Sequence, residues 1–300
     1  MKIFITGATG YIGGSIALDL RDAGHSVHGL ARSADKAAAL RALGILPVQG
    51  DLADHALLTR EAGQADAVIN AASSDDRGAV EALLRGLRGS GKAFLHTSGS
   101  SVIGDGACGE RVSDQVFDED TPLLVEPDKE ARHAIDRLIL DAAADKVRSV
   151  VLCNSMIYGN GSGLHRDSAQ IPTLIAQARK SGVLRVVGHG LNRWSNVHVA
   201  DVVDVYRRAL TNAPAGAFYF VENGEASFAE IGAALAQRLD LGAMQPWPIA
   251  EAAAEWGESR ARYSLGSNSR VRARRARREL HWMPRHASIT DWILNEMPLD

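Results

Sequence analysis

The chain has 300 residues, of which 46% are hydrophobic, and a formal net charge of −3. This composition supports a large core and one or two domains. The slightly negative charge gives no reason to expect nucleic acid or an anionic membrane as a partner, and no apolar run approaches the ~20 residues that a membrane span needs.

The first predicted element is a strand, Lys2–Thr6, which is followed by a turn rich in glycine. Gly7, Gly10 and Gly13 lead from this strand into an apolar helical pattern at about 10–23. In a strand–turn–helix of this kind the glycines allow a tight turn, close approach of the phosphates and packing of helix on strand. The helix N-terminus adds free N–H groups for the anion. We therefore predict dinucleotide binding here, with an ordinary glycine-rich turn as the alternative.

Strands and helices alternate through the first half of the chain. The predicted strands are Lys2–Thr6, Ser26–Leu30, Leu46–Gln49, Ala67–Ala71, Ala93–Thr97 and Ser149–Cys153. The helical patterns between them lie at about 10–23, 33–43, 54–62, 76–88 and 127–145. Strict alternation predicts an α/β fold with a Rossmann-type doubly wound parallel sheet. A long polar loop, Ser98 to Pro127, follows a strand at the edge where ligands bind in this architecture, so we expect it to be functional.

The alternation ends after Cys153. Helical patterns follow near 171–181, 201–211, 227–239, 249–256, 270–280 and 287–296, with one predicted strand at Ala217–Val221. We predict a dinucleotide-binding Rossmann core over residues 1–153. Residues 154–300 are predicted to form mainly a smaller C-terminal substrate lobe that is partly interleaved with the core.

The end of the second predicted strand bears on the cofactor. An NAD site places an acidic residue there to hold the ribose 2′-hydroxyl, whereas this strand runs into Arg32 and Ser33 without an acid. A guanidinium binds a phosphate bidentately. Ser33 adds a hydroxyl donor, and Lys36 lies one turn into the helix. This pattern favours NADP(H) over NAD; the alternative is that Arg32 and Lys36 form a solvated face and NAD binds.

Cysteine and histidine usage bears on metals and redox compartment. Cys108 and Cys153 give neither a disulfide framework nor a metal-ligand pattern, and the ten histidines are scattered. We predict no metal site. A reducing cytoplasm is the simplest location, and we expect no signal peptide because the N-terminal apolar residues belong to the first strand.

Five motifs carry a resemblance to a known family. They are Thr6-Gly-Ala-Thr-Gly-Tyr-Ile-Gly13, Gly50-Asp-Leu52, Ile157-Tyr-Gly159, Val197-His-Val-Ala-Asp201 and Glu279-Leu-His-Trp-Met-Pro284. Through them the chain resembles the extended branch of the short-chain dehydrogenase/reductase superfamily, the NAD-dependent epimerase/dehydratase type. The resemblance implies a bound nicotinamide dinucleotide and a small-molecule substrate. Its implied cofactor contacts are Gly7, Thr9, Gly10, Tyr11, Ile12, Gly13, Asp51, Leu52, Ala71 and Ala72.

The family's chemistry rests on a Ser or Thr, a Tyr and a Lys, and this chain departs from all three. The resemblance aligns Asp128 with the Tyr position and Arg132 with the Lys position, and it aligns Gly99 with the Ser position. The sequence has no tyrosine between Tyr11 and Tyr158, so the usual Tyr-x-x-x-Lys is absent and the chain is an atypical member.

The altered positions still allow catalytic roles. We predict that Arg132 holds the nicotinamide ribose and that Ser98, Ser100 or Tyr158 orients a substrate carbonyl. Asp128 could donate a proton only if burial raised its pKa by several units. The alternative for Asp128 and Arg132 is a surface pair at i, i+4 on a helix.

Two further groups of residues stand out. Arg193 and Trp194 lie in a polar run, 188–198, and we predict that they form a substrate wall; packing between lobes is the alternative for Trp194. Six arginines cluster between Arg270 and Arg278. Because no nucleic-acid motif accompanies them, we interpret them as a solvated helix face.

Together these patterns predict an NADP(H)-dependent oxidoreductase that reduces a small carbonyl compound. The alternatives are a sugar-nucleotide epimerase or dehydratase-like enzyme, and a non-catalytic NADP(H)-binding sensor or scaffold. We expect a monomer or homodimer without nucleic-acid or membrane partners.

Overall fold

The computed structural model describes residues 1–299. Its strands, β1 to β12 in chain order, are Lys2–Thr6, Ser26–Ala31, Leu46–Gln49, Ala67–Asn70, Ala93–Gly99, Arg148–Asn154, Met156–Tyr158, Arg185–Val187, Arg193–His198, Ala217–Val221, Glu225–Ser227 and Gln245–Trp247. Its α-helices, α1 to α11, are Tyr11–Asp22, Ala34–Ala42, His55–Gln64, Arg77–Leu87, Glu130–Asp141, Gln170–Ser181, Val199–Asn212, Phe228–Arg238, Ile249–Trp256, Arg274–Glu279 and Ile289–Asn295. Three 3₁₀ turns and a π-helical turn complete the description: Ser100–Ile103, Pro127–Lys129, Ala142–Asp145 and Arg260–Leu265.

A seven-stranded parallel sheet forms the centre of the molecule. Its order is β10-β6-β5-β4-β1-β2-β3, and every neighbouring pair is parallel. Apolar side chains cover both faces: one core cluster includes residues of α1, α2 and α7, and another includes residues of α3, α4 and α5. Strand order reverses at β1, so a cleft opens between the ends of β1 and β4. The predicted Rossmann-type fold is confirmed.

The second half of the chain contributes to this sheet as well as to smaller ones. β10 pairs with β6 at the sheet edge, and α7 packs against α1. The remaining strands form a three-stranded sheet, β11-β9-β7, and a two-stranded sheet, β12-β8. Among the described residues no helix is long and apolar enough to cross a membrane.

The sequence missed five short strands, β7, β8, β9, β11 and β12. Each has three to six residues, too few for a clear alternation of apolar and polar side chains. In β9 the alternation is further obscured because Ser195 and Asn196 are polar yet fully buried. The predicted polar run before α7 is therefore a central strand of the small sheet.

A buried carboxylate fastens the C-terminal segment to α7. Asp201 accepts hydrogen bonds from the backbone N–H groups of Arg285 and His286, at 2.9 and 3.0 Å, and lies 3.1 Å from His286 Nδ1. The Trp282 indole donates to the Asp201 carbonyl at 3.0 Å. The family-like motif around Trp282 is thus a packing element.

We expect Asp201→Ala to lower the free energy of unfolding by roughly 2–3 kcal/mol, because buried N–H groups would lose a charged acceptor. Asp204→Ala is a matched control on the same helix. Asp204 pairs only with Arg207 and Arg208 among residues 1–299, near the surface, so its loss should cost less than about 1 kcal/mol. Urea unfolding measures the stability of both variants. Equal losses of stability would contradict the anchoring role of Asp201.

Candidate functional site

The glycine turn after β1 leaves no space for side chains at two of its three positions. Gly7 has φ +77°, and a Cβ there would lie 2.5 Å from the Ala71 carbonyl oxygen. A Cβ on Gly13 would lie 2.4 Å from the Gly7 carbonyl oxygen. Gly10 differs, because a Cβ would approach only Gly7, at 3.3 Å. Gly10 therefore leaves room for a ligand rather than for the protein's own backbone.

Helix α1 presents an open N-terminus at this turn. Gly10 is its N-cap, no side chain of the described residues caps it, and its first turn carries no acid. The first N–H groups of a helix have no partner within it, so these donors are available to a phosphate. Tyr11 faces the other way, since its Oη donates to the Gly159 carbonyl at 2.7 Å.

A cavity of about 550 Å³ adjoins the turn. It is lined by Gly7, Thr9, Gly10, Leu30, Arg32, Lys36, Asp51, Leu52, Ala53, Ala71, Ala72 and Asp76. Nine of the predicted cofactor residues are among them, whereas Tyr11, Ile12, Gly13 and Ser33 are not. The shape, the open helix end and the glycine clearance fit a dinucleotide with its pyrophosphate at α1.

One end of this cavity carries two free cations. Arg32 and Lys36 are exposed, and neither side chain has a hydrogen bond or ion pair with another described residue. The Ser33 hydroxyl accepts from the Lys36 N–H at 3.3 Å as N-cap of α2, which leaves its own O–H free to donate. This group sits beside Asp51, whose Oδ1 accepts from the Ala53 and Asp54 N–H groups.

A stripe of polar side chains follows one face of α5 and the turn before it. Asp128, Arg132 and Asp136 are spaced at i, i+4 and i+8, so they share a face. Exposure falls along the stripe: Asp128 is exposed, Arg132 is half-buried and Asp136 is buried. The inner two residues contact the carboxyl end of β5 or the turn after it.

Asp136 forms the buried end of the stripe. Ser98 donates to its Oδ2 at 2.8 Å, and both residues are at most 3% exposed. Burial raises the pKa of the Asp136 carboxyl to about 7, although the Ser98 hydrogen bond and Arg132 lower it. Ser98 therefore donates its hydrogen bond to a carboxyl group in the interior and does not face an open cleft.

His96 lies between Asp136 and Thr6, the last residue of β1 before the glycine turn. Thr6 donates to Asn70 Oδ1 at 2.5 Å, and Asn70 Nδ2 lies 3.0 Å from His96 Nδ1. Since the Asn70 amide donates, Nδ1 accepts and the ring proton sits on Nε2, which is 4.0 Å from Asp136 Oδ1. Burial, and then Arg132, lower the pKa of His96 to about 4, so the ring is neutral.

Arg132 is held in the middle of the stripe by two partners. Its Nε and Nη2 bind the Asp75 carboxylate at 2.7 and 2.6 Å, and its Nη1 donates to Ser101 at 2.9 Å. A Cβ on Gly99 would lie 3.7 Å from Nη1, so Arg132 borders the position where the family has its hydroxyl. The hydrogen bond from Arg132 lowers the pKa of Asp75.

Asp128 contacts the C-terminal half of the chain. Tyr263 donates to its Oδ2 at 2.8 Å, and Lys129 Nζ lies 4.5 Å from the centre of the Tyr263 ring. Lys129 is 9% exposed, and burial followed by the charge of Arg132 lowers its pKa. Asp128 is thus part of an acid–phenol–amine group rather than a simple surface pair with Arg132.

Two predicted catalytic hydroxyls are engaged elsewhere. Ser100 is 1% exposed and its Oγ lies 2.7 Å from Ser269 Oγ. Tyr158 is fully buried, and its Oη donates to the His286 carbonyl at 3.1 Å. The structure does not bring either hydroxyl to the stripe on α5.

The predicted substrate wall is also engaged by the protein. Trp194 is 3% exposed, and its indole donates to the Ser267 carbonyl at 2.7 Å. Arg193 binds Glu225 at 2.8 Å and Glu230 at 3.3 Å. This placement favours the packing alternative for Trp194 and gives Arg193 a role in joining β9 to its neighbours.

The basic cluster matches the predicted solvated helix face in part, since Arg274 and Arg278 on α10 are exposed. Arg270 and Arg272 precede α10 and bind Glu225 together with Arg193. On α10, Arg274, Arg275 and Arg277 pair with Asp118, Asp120 and Glu222. The positive charge is largely compensated by carboxylates from other parts of the chain.

Sequence reasoning missed several residues of the site. Asp75, Ser101, Lys129 and Tyr263 had no motif of their own. Asp75 follows β4 at the ligand edge, and Ser101 adjoins the predicted serine pair, so position in the fold could have suggested both. Tyr263 carried no signal, because its contact with Asp128 joins residues 135 positions apart.

Comparison with known proteins shows the family of this chain. The family model for the NAD dependent epimerase/dehydratase family matches residues 3–221. The oxidase ucsJ of an Acremonium species is 34% identical, over 94% of this chain and 92% of that protein. A ketoreductase of Stigmatella aurantiaca, 4-hydroxy-2-methyl-3-oxo-4-farnesyl-3,4-dihydroquinoline-1-oxide ketoreductase, is 28% identical over 95% and 92%.

A solved structure supports the same fold. The dTDP-glucose 4,6-dehydratase of Bacillus anthracis, crystallised with NAD, has a TM-score of 0.77 at 17% identity, covering 98% of this chain and 94% of that one. The chain belongs to the NAD dependent epimerase/dehydratase family, within the extended short-chain dehydrogenase/reductases. It is an NAD(P)-dependent oxidoreductase, as predicted.

We expect Gly10→Val to abolish dinucleotide binding while the protein still folds. Gly10 lines the cavity, its φ of −89° suits any residue, and the new side chain would occupy the space that the pyrophosphate needs. Gly106→Val, at an open position outside the cavity, is the control. Fluorescence titration with NADPH and NADH measures binding; normal affinity in the Gly10 variant would place the phosphates elsewhere.

Asp136→Asn should flatten part of the pH dependence of stability. Between pH ~4, where an unfolded aspartate releases its proton, and pH about 7, the folded state keeps the proton of Asp136. Stability of the unaltered protein should therefore fall as pH rises through this window, by up to ~1.4 kcal/mol per unit from this group. In urea unfolding from pH 5 to 8, the variant should gain stability relative to the unaltered protein up to pH about 7 and gain little above it. Parallel profiles would contradict the assignment.

Proposed function

We propose that the chain is an NADP(H)-dependent reductase of a small carbonyl compound. The observation that carries the cofactor choice is the group Arg32, Ser33 and Lys36 at the end of β2, of which Arg32 and Lys36 line the cavity. The two cations have no partner among residues 1–299, and a 2′-phosphate would compensate them. An acid for a ribose diol is absent from the end of β2.

Carbonyl reduction is supported by the stripe on α5. A bound nicotinamide would supply a hydride. Arg132 would bind the nicotinamide ribose, with its guanidinium oriented by Asp75 and Ser101. Its fixed charge would also favour the negative charge that develops on a substrate oxygen during hydride transfer. The Stigmatella relative is named a ketoreductase, which agrees with this direction.

Sugar-nucleotide chemistry has less support. Arg193, the arginine predicted to meet the substrate, has its charge compensated by two carboxylates, Glu225 and Glu230. The structural resemblance to a sugar-nucleotide dehydratase has 17% identity and concerns the fold.

The proposal is tested by offering a panel of aliphatic, aromatic and β-keto carbonyl compounds and following NADPH absorbance. Turnover of at least one class above the Gly10→Val background is expected. Micromolar NADPH binding without turnover of any carbonyl compound would reject the reductase proposal.

Arg32→Ala should weaken NADPH binding by at least ~1.5 kcal/mol, about tenfold in Kd, because one charge-assisted contact is lost. NADH binding should change little. Arg41→Ala, an exposed arginine at the far end of α2, should affect neither. Tighter binding of NADH than NADPH by the unaltered protein would overturn the cofactor assignment.

A further inference from the structure

We propose that Tyr263 is the catalytic proton donor of this reductase, acting with Asp128 and Lys129. The inference rests on the proposed carbonyl reduction. It assigns the missing phenol to the C-terminal half of the chain, far in sequence from the helix that carries the rest of the site.

Tyr263 contacts both Asp128 and Lys129. Tyr263 lies in the π-helical turn Arg260–Leu265, and its Oη is 2.8 Å from Asp128 Oδ2. The Lys129 ammonium lies over its ring, at 4.5 Å from the centroid. These residues line a cavity of about 520 Å³ with Glu258, Ser259 and Arg262, so the phenol borders a space that can admit a substrate and water.

The backbone at Tyr263 is also anchored near the carboxyl end of β5. Ser267 donates to the Tyr263 carbonyl at 2.7 Å, and Ser269 donates to the Ser100 carbonyl at 2.8 Å. Tyr263 thus reaches the outer end of the α5 stripe from a segment that is anchored beside β5. Arg132 lies one helical turn farther in on the same face.

Of the other four tyrosines, Tyr158, Tyr206 and Tyr219 are buried and Tyr11 is partly buried. Their hydroxyls donate to the Gly159 carbonyl, the His286 carbonyl, Thr97 and Glu279, for Tyr11, Tyr158, Tyr206 and Tyr219 respectively. Burial raises the pKa of each. Tyr263 is partly exposed, and among the five it is the tyrosine that lines one of the cavities described above.

Reduction of a carbonyl group to an alcohol requires one hydride and one proton. A bound reduced nicotinamide would supply a hydride to the carbonyl carbon as the C=O π pair moves to oxygen, and that oxygen would take the phenolic proton of Tyr263. Water in the cavity then reprotonates the phenolate. The hydrogen bond to Asp128 raises the pKa of Tyr263, which keeps the phenol protonated before transfer, and Lys129 stabilises the phenolate afterwards.

Tyr263→Phe tests the proposal by removing only the hydroxyl. We expect kcat for carbonyl reduction to fall by at least ~100-fold, the scale of general acid catalysis, with the Kd of NADPH unchanged. Tyr219→Phe is the matched control, because Tyr219 also donates to a carboxylate, Glu279, at 3.1 Å, and it should retain its kcat. Circular dichroism establishes that both variants fold.

A second readout does not depend on turnover. Nitration by tetranitromethane, mapped by mass spectrometry, should modify Tyr263 first, and NADP⁺ together with a ketone substrate should protect it several-fold. Retained kcat in Tyr263→Phe, or unchanged nitration in the ternary complex, would overturn the role of Tyr263 and leave the reductase proposal intact. Failure of the unaltered protein to reduce any carbonyl compound would reject both.

Discussion

The hydrogen bonds that join Thr6, Asn70 and His96 fix the register on which the site depends. These residues stand side by side on β1, β4 and β5, and their side chains bond across the strands. Parallel strands paired in this register end at one edge, so the glycine turn, Ala71 and the end of β5 meet there. A slip of one residue would turn these polar side chains to the opposite face.

The three side chains of the α5 stripe differ in burial and in chemical role. Asp136 is buried and its pKa is raised. Arg132 is permanently charged and is held by Asp75 and Ser101. Asp128 is exposed to solvent and accepts a hydrogen bond from Tyr263. Asp128 lies in the 3₁₀ turn before α5, one helical turn from Arg132, and Arg132 lies one turn from Asp136, so the two carboxylates differ in depth.

Local patterns were sufficient for the Rossmann part of the fold. β1, β3 and β10 begin and end at the predicted residues. Short apolar runs predict the largely buried strands β1 and β10, whereas β3 is a partly exposed edge strand. Polar strands such as β9 were missed, since their hydrogen-bonding partners come from distant segments. The predicted cofactor residues lie within one strand–turn–helix unit or at neighbouring strand ends. This grouping made them predictable, and it also brings most of them to one cavity. Tyr263, Asp75 and Lys129 depend on contacts between segments far apart in sequence, which no local spacing reveals.

Glu225 links this long-range arrangement to the arginine cluster. Its carboxylate is 12% exposed and binds Arg193, Arg270 and Arg272. Burial opposes its ionisation, yet the hydrogen bonds from Arg270 and Arg193 lower its pKa. Arg270 continues directly from Ser267 and Ser269, which anchor Tyr263 and the end of β5. The arginines therefore hold the segment that delivers Tyr263 against β9, and their charge is used inside the protein. Two members of a cluster that is typical of a surface patch, Arg270 and Arg272, instead help to anchor the segment that follows the proposed proton donor.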